Sequence, residues 1–380
     1  MIDFSLTKEQ IELQEKVRDF AQRVMIPNAR KYDESAEFPW EIVKKAYDEG
    51  LMNGPVAKEL GGHGHNIFES ALSSEELGAG CVGIGICMDA NTLALTPLLL
   101  GASDEQKKRF FGQIIENKGV AAYALTEPNA GSDVAGIKTT AILKGDKYVM
   151  NGHKRFITNG GVSDFITVFA LVDPERGARS LSAFVVPTNS PGVKIVKNLS
   201  KMGQRASMQT EFIFEDVEVP KENLIGGEGQ GFVLAMKTFE RTRTGVAALS
   251  VGNARAAFET ARDWGKKRIQ FGKPVTVNQG VSFMLADMAT EIEAARLVTW
   301  YSAWMYDTGN KQKNMLSAMA KLYASDVAMK VTTDAVQVMA GDGYSTDYLV
   351  EKMMRDAKLC QIYEGTNQVQ RLVIGKSVLK

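Results

Sequence analysis

The hydrophobic period of this chain changes twice, and that change limits the fold more than any single residue does. From Leu6 to about Gly119 apolar residues recur at helical spacing. Thr7 with Gln10, and Ser103 with Gln106, stand at capping-box spacing where such runs begin. Pro39 suits a first helical position, and Gly50 the matching end. Between about Tyr123 and Val219 the period falls to two. Residues 165–172, 181–186 and 211–219 read as strands, with hairpin turns at Gly145-Asp146 and Asn151-Gly152. From Gly231 the helical runs return over 232 to about 271 (ended by Gly272 and Pro274), 278–308, 314–339 and a terminal pair around Glu364. The expected fold class is α+β. An N-terminal helical domain covers 1–120, a middle antiparallel β-domain 121–228, and a C-terminal four-helix bundle 229–380.

Several function classes drop out early. Lys plus Arg and Asp plus Glu are 45 each, so no net field draws the chain to nucleic acid or an anionic membrane. The most apolar stretch, 77–102, is interrupted by Asp89 and Pro97 and lacks the roughly 18 uncharged residues of a membrane span; it reads as a core helix. The three cysteines and three histidines, His63 and His65 included, show no metal-ligand spacing, so no metal is expected. A sparse, odd cysteine count fits a reducing cytoplasm, and the first residues carry neither signal-peptide nor transit-peptide features.

Polar groups that could meet a ligand gather in a few places. Residues 123–133 combine the hydroxyls of Thr126 and Ser132 with a turn-forming Pro-Asn and a glycine, and residues 156–161 pair Phe156 with Thr158. Glycine clusters at 61–62, 226–231 and 341–343 do not fit G-x-G-x-x-G between a strand and a helix, which excludes a Rossmann reading. Near the C-terminus Gly365 breaks the helical pattern and Thr366 can cap a helix from Gln368 to about Val378. Glu364 sits in that corner, either solvated or pointing into a cavity.

Taken in order, these segments resemble the acyl-CoA dehydrogenase family, most closely its medium- and short-chain, butyryl-CoA dehydrogenase-like branch. The resemblance runs through residues 123–133, 156–161, 202–205, 239–243, 268–273, 354–358 and 362–368 and covers nearly the whole chain. It implies FAD between the β-domain and the bundle. Thr126 and Thr158 would hydrogen-bond the flavin ring with Tyr123, Leu125, Ser132 and Ile157 around it, and Phe156 would pack beside it. Arg268, Phe271 and Gln279 match the stretch that reaches a neighbouring subunit's FAD, and Gln337 and Gly341 the segment holding its pyrophosphate. Thr366 and Gln368 complete the site. Two departures stand out: Ala340 replaces the first glycine of Gly-Gly-x-Gly, and Phe156 replaces a tryptophan.

The chemistry implied is α,β-elimination on an acyl-CoA thioester, with Glu364 matching the base and hydride leaving for flavin N5. Another branch carries its base at the position of Thr242, which cannot serve as one. Phe239, Glu240, Arg243, Tyr363, Gly365 and Ser132 would meet the substrate or its CoA arm. Asp89 falls where medium-chain enzymes carry a glutamate: it either pairs locally, or marks the cavity floor and meets water or a polar or ring-bearing acyl group. The partners implied are an acyl-CoA, an electron-transferring flavoprotein and further copies of this chain, usually as a tetramer. The alternatives are an enoyl-CoA reductase running the reverse reaction, an oxidase, and a catalytically silent CoA-binding protein.

Overall fold

The computed structural model describes residues 5–379; residues 1–4, part of the start read for targeting features, lie outside that range. Five helices come first: α1 (Lys8–Phe20), α2 (Ala29–Ser35), α3 (Trp40–Asp48), α4 (Ile67–Gly101) and α5 (Asp104–Glu116). Both expected capping boxes form, with Thr7 and Ser103 accepting from Gln10 and Gln106 N–H while the glutamine side chains return the bond. Pro39 is displaced by one position: it is the N-cap of α3, not its first residue.

The apolar stretch differs more from expectation. Its helix starts earlier, at Ile67, behind an Asn66–Glu69 capping box. At Cys81 the backbone is extended (φ −176°, ψ 115°), so the 35-residue segment is two helices folded back on each other. Ser74 in the first half donates to Asp89 in the second at 3.2 Å. Gly85 lies so close to Leu77 that an added Cβ would come within 3.1 Å of the leucine's. Most of the apolar surface of α4 is buried by protein.

The middle domain is an eight-stranded sheet: β1 (Ala121–Ala124), β2 (Thr140–Lys144), β3 (Lys147–Thr158), β4 (Phe165–Leu171), β5 (Leu181–Pro187), β6 (Val193–Asn198), β7 (Gln209–Pro220) and β8 (Leu224–Ile225). The order is β6-β7-β3-β2-β4-β5-β8. It is antiparallel apart from β1, which lies parallel to β4, and one residue pair between β2 and β4. β1 enters from α5 and not through a hairpin, so nothing forces it antiparallel. Gly145-Asp146 makes the expected β2–β3 turn. Asn151-Gly152 does not turn. It lies inside β3 at a bulge against β7, and a Cβ on Gly152 would meet the Thr139 hydroxyl at 2.2 Å. The glycine there marks a close approach.

The C-terminal domain holds α6 (Gly231–Lys267), a short hairpin of β9 (Ile269–Gln270) and β10 (Lys273–Pro274), then α7 (Gln279–Asp307), α8 (Lys313–Tyr344), α9 (Val350–Cys360) and α10 (Asn367–Val378). α8 continues past Met339 through a break at Ala340, whose φ of +51° and ψ of −128° belong to glycine's territory. Helices α4 and α6 touch backbone to backbone: a Cβ on Gly252 would lie 1.9 Å from the Glu75 carbonyl, and one on Gly78 2.2 Å from that of Leu249. Along this seam buried Glu75 pairs with Arg296 at 3.0 Å. Buried Glu76 pairs with Arg255 at 2.6 Å and Arg18 at 2.8 Å. Removing one partner would strand a buried charge, so the seam fixes the N-terminal helices on the bundle.

Candidate active site

Between α9 and α10 the chain turns through Glu364 and Gly365, both left-handed, with φ of +51° and +91°. A non-glycine residue accepts that conformation at a cost of about 1 kcal/mol or more, so the surroundings must hold it. They do. Buried Lys321 of α8 donates to the Gly365 carbonyl at 2.9 Å and to Asn367 Oδ1 at 2.9 Å. Gln370 Nε2 donates to the Glu364 and Gly365 carbonyls at 3.0 and 2.8 Å. Thr366 caps α10, accepting from Val369 N–H at 3.2 Å.

The Glu364 side chain thereby turns away from bulk solvent toward α6, where Thr242 Oγ1 donates to its Oε2 at 2.7 Å. Burial pushes its pKa up; the Thr242 bond and the charges of Arg243 and Lys321 pull the other way. Lys321 is itself lowered by burial to about 8, so it remains mostly a cation at neutral pH. A carboxyl so placed can accept a proton from a group held beside it.

Glu364, Thr242 and Asp89 line one cleft of about 800 Å³, its mouth included. Asp89 Oδ1 accepts from Ser74, while Oδ2 is buried without a partner. Burial, with the nearby Glu364 charge, pushes Asp89 up to about 7. It therefore pairs locally and also faces the cavity. Tyr123 is buried with its hydroxyl unpartnered, its ring 5.0 Å from Phe169 and 5.8 Å from Phe239. Burial raises its pKa and Glu364 adds to the rise. Arg243 is buried and donates to Asn314 at 3.2 Å; Glu240 pairs with Lys313 at 3.2 Å. Tyr363 Oη lies 3.3 Å from Cys360 Sγ.

A second group of expected residues gathers at the β-domain edge. Buried Lys154 donates to the Leu125 carbonyl at 3.0 Å and to Glu127 at 2.9 Å, while Arg155 N–H donates to the Thr126 carbonyl at 2.9 Å. The register slips between Lys154 and Ile157, which frees Phe156 from the ladder. Its φ is +62° and the residue is 53% exposed. Ile157 is buried, Thr158 partly exposed and Ser132 exposed. These hydroxyls, a bared aromatic face and the orphaned Tyr123 hydroxyl fit a planar heteroaromatic group such as a flavin. Within this chain Arg268, Phe271, Gln279, Gln337, Gly341 and Gln368 are not drawn to the cleft; all six are exposed, Phe271 at 95%.

Several contributors escaped sequence reading. Lys321, Gln370 and Lys154 act by their burial, which composition hides, although a lysine on the apolar face of a long helix is a signal that α8 carried. Ser70, Ser73 and Ser74 recur at i, i+3 and i+4 and line the cleft with His65 and Arg241.

Comparison with known proteins identifies the relatives. Residues 7–118, 122–217 and 229–379 match the profiles described as the N-terminal, middle and C-terminal domains of acyl-CoA dehydrogenase. The chain is 46% identical over 376 residues to cyclohex-1-ene-1-carbonyl-CoA dehydrogenase of Geobacter metallireducens, covering 98% of this chain and 99% of that one. It is 43% identical to the short-chain specific acyl-CoA dehydrogenase of Clostridium acetobutylicum over the full length of both. Butyryl-CoA dehydrogenase of Megasphaera elsdenii superposes with a TM-score of 0.96 at 39% identity, over 100% of each chain. The chain belongs to the acyl-CoA dehydrogenase family of flavoprotein oxidoreductases.

Proposed function

We propose that this chain dehydrogenates a short-chain or cyclic acyl-CoA thioester between its α- and β-carbons, with Glu364 as the base. The observation that carries the reading is the Glu364 carboxyl itself, held into the cleft by a left-handed backbone, bonded to Thr242 and flanked by two cations. Substrate preference for short or cyclic acyl groups is supported by the relatives' activities.

Glu364 accepts the α-proton at its carboxylate. Thr242 fixes the carboxylate's orientation, and Lys321 and Gln370 fix the turn beneath it. The backbone N–H of Glu364 donates to the thioester oxygen as negative charge develops there; one such oriented donor is typically worth about 3 kcal/mol. Leu77, Ile86, Met88 and Val246 line the cleft and exclude water from the acyl group. Bound FAD supplies the hydride acceptor. Thr126, Thr158 and Phe156 would hold its ring, with Tyr123, Leu125, Ser132, Ile157, Thr366 and Gln368 nearby. Arg268, Phe271, Gln279, Gln337 and Gly341 would reach the FAD of a neighbouring copy, which makes the working form an oligomer. Arg243 and Glu240 would lie along the thioester arm. An electron-transferring flavoprotein in the cytoplasm would reoxidise the flavin.

The visible spectrum of the purified protein tests the reading directly. A flavin spectrum that bleaches anaerobically with a short-chain or cyclic acyl-CoA is the expected result, and a colourless protein, or one no thioester bleaches, sinks it. Arg268→Ala should lower FAD retention and assembly together; a monomeric variant with full flavin would remove the role of the neighbour.

A further inference from the structure

The connection between β6 and β7, residues 199–208, reaches from the β-domain across to α9. Leu199 N–H donates to the Gln209 carbonyl at 2.8 Å and Asn159 N–H to the Met208 carbonyl at 2.9 Å, which ties the segment to the start of β7 and the end of β3, beside Ile157 and Thr158. Its tip packs backbone to backbone on α9. A Cβ on Gly203 would lie 2.3 Å from the Arg355 carbonyl, and Arg355 Nη1 donates to the Met202 carbonyl at 2.9 Å. Gln204 is fully buried there in the left-handed conformation, with φ +50°. Resting on the catalytic reading above, we propose that Gln204 is a positioning residue, which sets where the Glu364 carboxyl stands relative to the flavin-holding edge of the β-domain.

The bonds of Gln204 run in both directions. On the β-domain side, Lys201 Nζ donates to the Gln204 carbonyl at 2.7 Å and to Ser207 Oγ at 3.0 Å, and Ser207 Oγ donates to the same carbonyl at 2.8 Å; together they hold the strained backbone. On the bundle side, Gln204 N–H donates to the Asp356 carboxylate, and its Nε2 to the Asp356 carbonyl at 2.9 Å and to Cys360 Sγ at 3.6 Å. Cys360 Sγ lies 3.3 Å from the hydroxyl of Tyr363, the residue before the base. Burial, with Cys360 adding to it, pushes the Tyr363 phenol well up, and Gln204 opposes the rise, so the amide bears on that hydroxyl directly. Tyr363 turns its polar tip back to α9 and is not among the side chains lining the cleft. Gln204 Oε1 is buried with no partner. A half-satisfied amide is a poor choice for packing alone, and an apolar side chain would fill the space at less cost. What an apolar side chain cannot do is grip α9.

The Glu364 turn therefore has two holds. Lys321 belongs to α8 and Gln370 to α10, so theirs sets the turn against the bundle. The hold through Gln204 refers it to the β-domain, where Phe156 and Thr158 stand. The elimination removes a proton from one carbon and a hydride from the next, so both acceptors must be in reach at once. A misplacement of about 1 Å in such an arrangement can cost about 100-fold in rate.

The test uses the holoenzyme and Gln204→Met, which keeps the side chain's length without its amide. The thioester is butyryl-CoA or cyclohexanecarbonyl-CoA, whichever reduces the unmodified protein faster. FAD content and crotonyl-CoA affinity, read from the flavin spectrum, should stay within about threefold, while flavin reduction at saturating thioester falls about 100-fold. The deuterium isotope effect should grow for label at the α-carbon, whose proton goes to Glu364, and not for label at the β-carbon, whose hydride leaves for the flavin. Without turnover, amide hydrogen exchange over residues 361–366 should quicken about tenfold, as for one lost hydrogen bond, with the rest of α10 unchanged. Tyr363→Phe deletes only the hydroxyl at the far end of the contact. It should show the same isotope pattern with a loss of about tenfold, and it carries the test if Gln204→Met does not fold. Unchanged reduction, unchanged exchange of the turn, a rate loss with both isotope effects unaltered, or a loss that tracks missing flavin each overturns the proposal. If neither thioester reduces the unmodified protein, the catalytic reading fails, and hydrogen exchange still decides whether Gln204 holds the Glu364 turn.

Discussion

Two carboxyl groups share the cleft, and their surroundings make them different acids. Both Glu364 and Asp89 are raised by burial. Glu364 has a 2.7 Å hydroxyl bond and two cations, Arg243 and Lys321, working against the rise. Asp89 has one 3.2 Å bond from Ser74 and an unpaired oxygen, and Glu364's negative charge pushes it further up. Compensating charge opposes the rise at Glu364 and is missing at Asp89, and that is the difference between the two acids.

The largest expected effect breaks the equivalence outright. Glu364→Gln preserves shape, flavin colour and thioester binding but removes the proton acceptor, so flavin reduction should fall by about 10⁴-fold, the upper range for a general base. Asp89→Asn should cost far less with a plain short-chain thioester. If stopped-flow reduction survives in the glutamine variant, the base lies elsewhere.

Next comes Lys321→Met. Losing a buried cation raises the Glu364 pKa, and a base works only when ionised, so the acidic limb of the flavin-reduction profile should move to higher pH. A shift of one unit lowers the rate about tenfold on the acidic side and leaves the alkaline plateau intact. A loss equal at every pH would mean that Lys321 only props up the Gly365 carbonyl. Thr242→Val should act in the same direction more weakly, about threefold near neutral pH, because it removes one hydrogen bond to the charged form. A profile that stays in place would show that the 2.7 Å contact leaves the ionisation of Glu364 unchanged.

The same contrast explains how much of the molecule was legible beforehand. The period changes located the β-domain, and both expected capping boxes formed, because periodicity and caps are local properties. Gly365 and Thr366 marked the turn that carries Glu364 for the same reason. The sheet's parallel β1–β4 pair and the bulge at Gly152 depend on partners remote in sequence, and a turn signal there misled. The fold-back of α4 at Cys81 was invisible: a cysteine with an extended backbone carries no punctuation of the kind glycine or proline provides. With it went the meeting of Ser74 and Asp89 on the cleft wall. Lys321 and Gln370 were missed because their role is to clamp a backbone turn 40 or so and five or six residues away.

The smallest effect concerns stability, not rate. Asp89 has an ordinary carboxyl pKa near 3.8 when unfolded and about 7 when folded, so the folded chain holds a proton the unfolded chain releases. Its contribution is fully favourable below about pH 4 and is lost as pH rises through 7. An amide in place of this carboxyl cannot titrate, so the Asp89→Asn protein should gain relative stability across that window. Its melting temperature should rise against the unmodified protein by about 2 °C more at pH 8 than at pH 5, a modest figure because a chain of this size moves little per kcal/mol. The opposite slope would mean a partner charge holds Asp89 ionised. Parallel melting curves across that range would mean the carboxylate is hydrated and ionised in the cleft at every pH. Either result would erase the difference between the two acids from the Asp89 side, whatever Glu364 does.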